Sequence, residues 1–162
     1  MTTMLDLEPI ERAVKQIETL EETSKAKGYE TSYHYLYCFN KDGNYAGDES
    51  TGKEAWYQGT WRQVGHCGTA MCLAGWIADM NGGTWVGKTS YLELFEGEEP
   101  EYPGDPAYIT PARRVVSITG IDWAEADYLF GPDTTLQNMK DWLKVKKAHP
   151  DKIIRSTEMV RR

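Results

Sequence analysis

The sequence predicts a mainly α-helical chain: a single compact domain of about five helices around a buried central helix, with one small β-hairpin beside it. Three observations carry this prediction. From Ala70 to Ala78 every residue is apolar or small, so a helix there is apolar on nearly all sides and belongs in a core. Leu7, Ile10, Val14, Ile17 and Leu20, with Ala13 beside them, follow the three-four spacing of an amphipathic helix. Thr110-Pro111, Asp122 to Glu125 and Thr134-Thr135 each mark a helix start ahead of an apolar-periodic stretch.

Taken in order, the first helix runs from about residue 7 and stops at Gly28, with Glu11, Lys15, Glu18 and Glu22 on a solvated face. The segment 29–65 is rich in aromatics. Tyr33, Tyr35, Tyr37 and Phe39 alternate with His34, Leu36 and Cys38, which predicts a strand. Lys41-Asp42-Gly43-Asn44 is a turn signal and Tyr45 begins a return strand, giving a hairpin laid over the central helix. Residues 47–53 read as an exposed loop.

The central helix starts at Gly68 or Thr69 and stops before Asn81-Gly82-Gly83, with Ala70, Ala74 and Ala78 on one face. Thr84 to Val86 is a short extended piece, and Tyr91, Leu92, Leu94 and Phe95 make one helical turn. An acidic loop follows over 96–106. The next helix has Val115, Val116 and Ile118 as its apolar face and ends at Gly120. Asp122 and Glu125 have capping-box spacing for a short helix with Ala126, Leu129 and Phe130 inward. A further helix buries Leu136, Met139, Trp142 and Leu143 until His149-Pro150 interrupts it. A last helix over 153–160 lies in a frayed tail, 150–162.

Composition narrows the function classes. The chain of 162 residues fits one domain, and its 40% hydrophobic and 27% charged residues are those of an ordinary globular protein. Six Trp and ten Tyr supply rings for a core or a binding surface. A net charge of -7 with a pI near 5.0 argues against general nucleic-acid binding, which needs a basic stripe. No segment has membrane-spanning length or the pattern of a secretory signal, so no membrane association is expected. Three cysteines without the spacing of a disulfide framework point to a reducing, cytoplasmic setting.

Cys67-Gly68-Thr69-Ala70-Met71-Cys72-Leu73-Ala74-Gly75-Trp76 resembles the CGTAxCxAGW signature of a family of small, mostly uncharacterised bacteriophage and bacterial proteins. The resemblance covers the N-terminal helix and residues 65–143, through Ile118 to Asp122, Leu129-Phe130 and Thr135-Leu136. Residues 33–53 fall outside it and read as an insertion. The resemblance implies no agreed activity. Its phage association implies a role in host takeover or in antagonism of host defence, inside the host cytoplasm.

Three kinds of chemistry suit these residues. Cys67 is a candidate nucleophile: at the expected start of a helix, unpaired amides and the dipole favour a thiolate. Gly68 lets a substrate approach the backbone, and His66 or His34, or else His149, would serve as base. The alternative is that Cys67 packs at the helix entrance. His34, Cys38, His66, Cys67 and Cys72 are zinc-ligand types, but on a helix Cys67 and Cys72 diverge by ~140°. That divergence disfavours a shared ion or a disulfide, so no metal and no cofactor is expected.

The third is binding by the rings of Tyr33, Tyr35, Tyr37, Trp56, Tyr57 and Trp61. Beside a glycine-flanked helix entrance they make a cleft for a flat ligand, or a surface for a protein. Binding demands fewer aligned groups than catalysis. The expected function is therefore a non-catalytic, phage-type binding protein that acts on a host protein or a small nucleotide-like ligand. Its expected site is Tyr35, Trp56, Trp61, His66, Cys67, Gly68 and Thr69. A cysteine-dependent hydrolase or transferase using Cys67, and a structural or assembly protein, are the alternatives. A homo-oligomer is compatible with each.

Overall fold

The computed structural model describes residues 4–36, 54–65, 68–101 and 107–159. The N-terminal apolar stripe forms α1, Glu8–Ala26, with Pro9 in its first turn and Ile10, Ala13, Val14 and Ile17 buried. Gly28 follows at φ 89°, in the left-handed region that a glycine enters without steric cost. The outer face of α1 is not merely solvated. Glu11 pairs with Lys147 at 2.7 Å, and Glu18 pairs with Lys140.

The strand expected from Tyr33 onward is instead a short helix, α2, Ser32–Leu36. Thr31 caps it, its Oγ1 accepting the His34 amide at 3.0 Å. Ser32 and Leu36, four apart, turn to the core. Those two anchors outweigh the period-two pattern of the tyrosines, which also fits residues i and i+4 of a helix. The expected turn at 41–44, the return strand at Tyr45 and the loop 47–53 lie outside the described residues.

A hairpin does exist, in a different place. β1 (Glu54–Trp56), β2 (Gln63–Gly65) and β3 (Gly68–Met71) form a sheet in the order β1-β3-β2. β2 and β3 pair antiparallel, Gly65 opposite Gly68, while β1 runs parallel to β3. Residues 68–71 are thus strand, and the central helix, α3, is only Leu73–Met80. The expected start at Gly68 or Thr69 is corrected because β3 has a pairing partner on both edges. Cys72, extended at φ -74° and ψ -179°, ends that run. A short apolar run does not by itself distinguish a buried strand from a buried helix. Ala70 therefore does not share a helical face with Ala74 and Ala78.

The central helix is nonetheless buried: every residue from Leu73 to Ala78 is inside. It packs against α1 and against two helices that follow it, α4 (Pro111–Thr119) and α5 (Trp123–Phe130). A Cβ on Gly75 would lie 2.2 Å from the Trp61 carbonyl oxygen, so glycine lets the chain at Trp61 press onto α3. Trp76 Nε1 donates to the Ala55 carbonyl at 3.2 Å, tying α3 to β1. The helical turn expected at 91–95 is instead β4, Leu92–Glu93, pairing antiparallel with β5, Tyr108–Ile109. Leu92 is buried and Glu93 exposed, an alternation that suits a strand with one wet face.

The later helices begin where their caps predict. Thr110 accepts the Arg113 amide, and Gly120 closes α4 at φ 78°. Asp122 and Glu125 form the capping box of α5. Thr135 and Asn138 form that of α6, Leu136–Ala148. Two buried ion pairs were not anticipated. Arg114 is held by Glu98 at 2.7 and 2.9 Å and by the Glu93 carbonyl at 2.8 Å, with the Phe95 ring beneath. Part of the acidic loop thus supplies a counter-charge. Lys146 pairs with Glu125 at 3.0 Å and donates to the Lys152 carbonyl at 2.5 Å. Glu125 also accepts the Ile154 amide at 3.3 Å, and Ile154 is buried. Among the described residues of the helix expected at 153–160, only a 3₁₀ turn forms, Ser156–Glu158. The mainly α class with a buried central helix is as the sequence predicts, with six α-helices among the described residues. No helix among them is long and apolar enough to cross a membrane.

Candidate functional site

The connection between β1 and β2 is organised by Gln58. Its side-chain amide is buried, and both its nitrogen and its oxygen are bonded. Nε2 donates to the Leu129 carbonyl at 2.8 Å, while Oε1 accepts Trp56 Nε1 at 2.9 Å and the Leu73 amide at 3.1 Å. One side chain thus joins β1, the end of α5 and the first turn of α3. Cys72 makes no side-chain cap, so Gln58 supplies an acceptor for an otherwise orphaned helix amide.

Two clefts flank this connection. The first, about 390 Å³, has Thr31, Tyr33 and His34 on one wall and Trp56, Tyr57, Gln58 and Gly59 on the next. Pro132, Asp133, Thr134 and Thr135, between α5 and α6, close it. The second, about 500 Å³, is lined by Trp61, Thr60, Ser90, Tyr91 and Phe130. It shares Gln58, Gly59 and Pro132 with the first.

The Tyr33 and Tyr57 rings stack with centroids 4.3 Å apart and planes 17° off parallel. A Cβ on Gly59 would lie 2.7 Å from the Tyr57 ring, so glycine makes room for that ring. Burial, and then the neighbouring Tyr57, push the Tyr33 phenol above its ordinary pKa, against a hydrogen bond with Gln63. Among the described residues, the first cleft has no Lys or Arg in its lining. Its electropositive side is the start of α6. There the capping box takes up the amides of Thr135 and Asn138, while those of Leu136 and Gln137 have no acceptor within the helix.

Of the expected site residues, Trp56 and His34 line the first cleft and Trp61 the second. Tyr35 points elsewhere: its hydroxyl accepts from Lys27 at 2.8 Å and its ring packs on Tyr29. Gly68 and Thr69 lie within β3, opposite Gly65 and Val64, and line neither cleft. His66 and Cys67 lie outside the described residues, as does Cys38. The argument for a helix-activated Cys67 is corrected all the same, because α3 begins at Leu73 and its free amides follow Cys72. Cys72 itself is fully buried, and burial pushes its thiol up to about 11, which suits a packing residue.

Gln58, Gly59 and Pro132 to Thr135 were missed as site residues. Gly131-Pro132-Asp133 before a helix cap is a turn signal, and Gln58-Gly59 between two tryptophans carries no site signal of its own. In comparisons with known proteins, no family model matches this chain, and neither a curated protein nor a solved structure matches it significantly.

Proposed function

We propose that this protein is a non-catalytic binding protein whose site is the first cleft and whose ligand is small and nucleotide-like. The observation that carries the reading is the placement of Tyr33, Trp56 and Tyr57 opposite the start of α6. A flat base stacks on the rings, Asp133 accepts from ligand hydroxyls, and an anionic group meets the free amides of Leu136 and Gln137. The described lining offers no Lys or Arg to the anion, so the rings dominate the proposed affinity. The resemblance to small phage and bacterial proteins supports a setting in host takeover or defence antagonism.

A second reading, capture of a host protein, is favoured by the exposed rings of Tyr91, Phe95, Tyr108 and Trp123. The cysteine-hydrolase reading lacks its helix-end argument, since α3 starts beyond Cys67.

Titration with adenosine, uridine and AMP, followed by Trp fluorescence and calorimetry, tests the proposal. AMP is expected to bind about two- to fivefold more tightly than adenosine through the helix end. Tyr57→Ala is expected to weaken AMP about 5- to 150-fold, the span of one stacking contact. Absence of saturable binding by every nucleoside and nucleotide rejects the small-ligand reading in favour of the protein partner.

A further inference from the structure

Glu21 is an acid inside the protein, only 6% exposed, on the inner side of α1. Both its carboxylate oxygens accept the Ser32 amide at 3.2 Å, and Oε1 also accepts the Ser32 hydroxyl. That hydroxyl oxygen in turn accepts the Trp56 amide at 3.0 Å. One chain of hydrogen bonds therefore joins α1, the start of α2 and β1. Leu36 and Ala55 pack together beside it, with Tyr33 against them. Tyr33 and His34 of α2, and Trp56 of β1, are facing walls of the first cleft.

We infer that Glu21 is a positioning residue of that cleft: it fastens the α2 wall to β1, and fastens it harder when it carries a proton. The inference rests on the proposed binding site only for what is positioned; the fastening is readable with no ligand present.

The physical argument is a balance. Burial raises the Glu21 carboxyl above its ordinary value. The Ser32 hydroxyl and amide, Lys25 on α1 and His34 on α2 act in the opposite sense and are smaller. α1 also packs against β1, α3 and α6, and among the described residues no charged group from these acts on Glu21. A carboxyl with a raised folded pKa binds its proton more tightly with the wall docked than undocked. Docking therefore strengthens as pH falls through the folded value towards the ordinary one, and weakens as pH rises again. A protonated carboxyl keeps the contacts, its carbonyl oxygen accepting the Ser32 amide and its hydroxyl meeting the Ser32 oxygen. In Glu21→Gln the side-chain oxygen and NH₂ make the same pair of contacts without a buried charge.

Amide hydrogen exchange at Trp56 and Ser32, corrected for intrinsic rates, tests this between about pH 7 and about pH 4.5, the ordinary carboxyl value. In the unaltered chain, Trp56 protection is expected to rise about threefold or more towards acid. Glu21→Gln is expected to be at least as protected at neutral pH and flat within about twofold across the range. Ser32→Ala, which removes the acceptor of the Trp56 amide, is expected to lose about fivefold in Trp56 protection. A flat or falling profile in the unaltered chain overturns the inference. So does a Glu21→Gln protein less protected at neutral pH, or a step that His34→Gln abolishes and Glu21→Gln leaves. AMP titrations on the same proteins separate the two proposals. If AMP fails to bind, only the nucleotide reading falls and the exchange profile still decides the fastening. If adenosine, which carries no phosphate to titrate in this range, binds with the same affinity at both pH values while the exchange step is present, the positioning role falls.

Discussion

α6 and α3 begin in opposite ways. In α6, Thr135 and Asn138 exchange hydrogen bonds over three residues, so the cap is supplied by the helix's own sequence. In α3, Cys72 offers no cap, and the Leu73 amide is accepted by Gln58, fifteen residues earlier. The contrast extends to the surroundings. α4, α5 and α6 each carry their own start signal, Thr110, Asp122 and Thr135. α2, α3 and the three-stranded sheet are joined by partners distant in the chain, Glu21 to Ser32, Gln58 to Leu129 and Trp76 to Ala55. The cleft forms where the two kinds of region meet. Its ring-bearing walls come from the remotely tied region, and its closing wall from the start of α6.

This contrast can be broken by substitution. Gly75→Ala puts a methyl 2.2 Å from the Trp61 carbonyl and 2.9 Å from Met71 Cβ. Backbone cannot swing aside as a side chain can, so about 3 kcal/mol of stability is expected to be lost. Urea denaturation measures it, and a loss below about 1 kcal/mol would show the approach at Trp61 to be pliable. Gln58→Leu leaves the Leu73 amide and the Trp56 indole without acceptors, at a cost of about 2 kcal/mol in the same assay. Thr135→Ala removes a local cap and is expected to cost about 1 kcal/mol. Should the Thr135 variant prove as damaging as the Gln58 variant, the remote tie would be no more important than the local one.

The same contrast explains what the sequence revealed. Thr110, Asp122, Thr135 and Gly120 act within one helical turn, so their spacing alone places three helices. The run 70–78 reads correctly as buried, yet nothing in it separates β3 from α3, because neither element has a wet face to set a period. α2 was hidden because Ser32 is held by Glu21, eleven residues away, and the alternating tyrosines suggested a strand. Glu21, Glu125, Lys146 and Arg114 look like surface charges until their distant partners are known. At the site, the aromatic content leads to Tyr33, Trp56, Tyr57 and Trp61. It could not lead to Gln58, which looks like any polar turn residue until its three partners are seen.

Gln58 also bears on the order of events as the chain collapses. Eight residues are too few to persist as a helix in water unaided. α3 has its first amide held by Gln58, its indole held by Ala55 and its glycine covered by Trp61, all contributed by the strand and connection ahead of it. The most enclosed rod in the molecule is therefore a product of assembly rather than its seed. The self-capped helices near the C-terminus are the better candidates to form first.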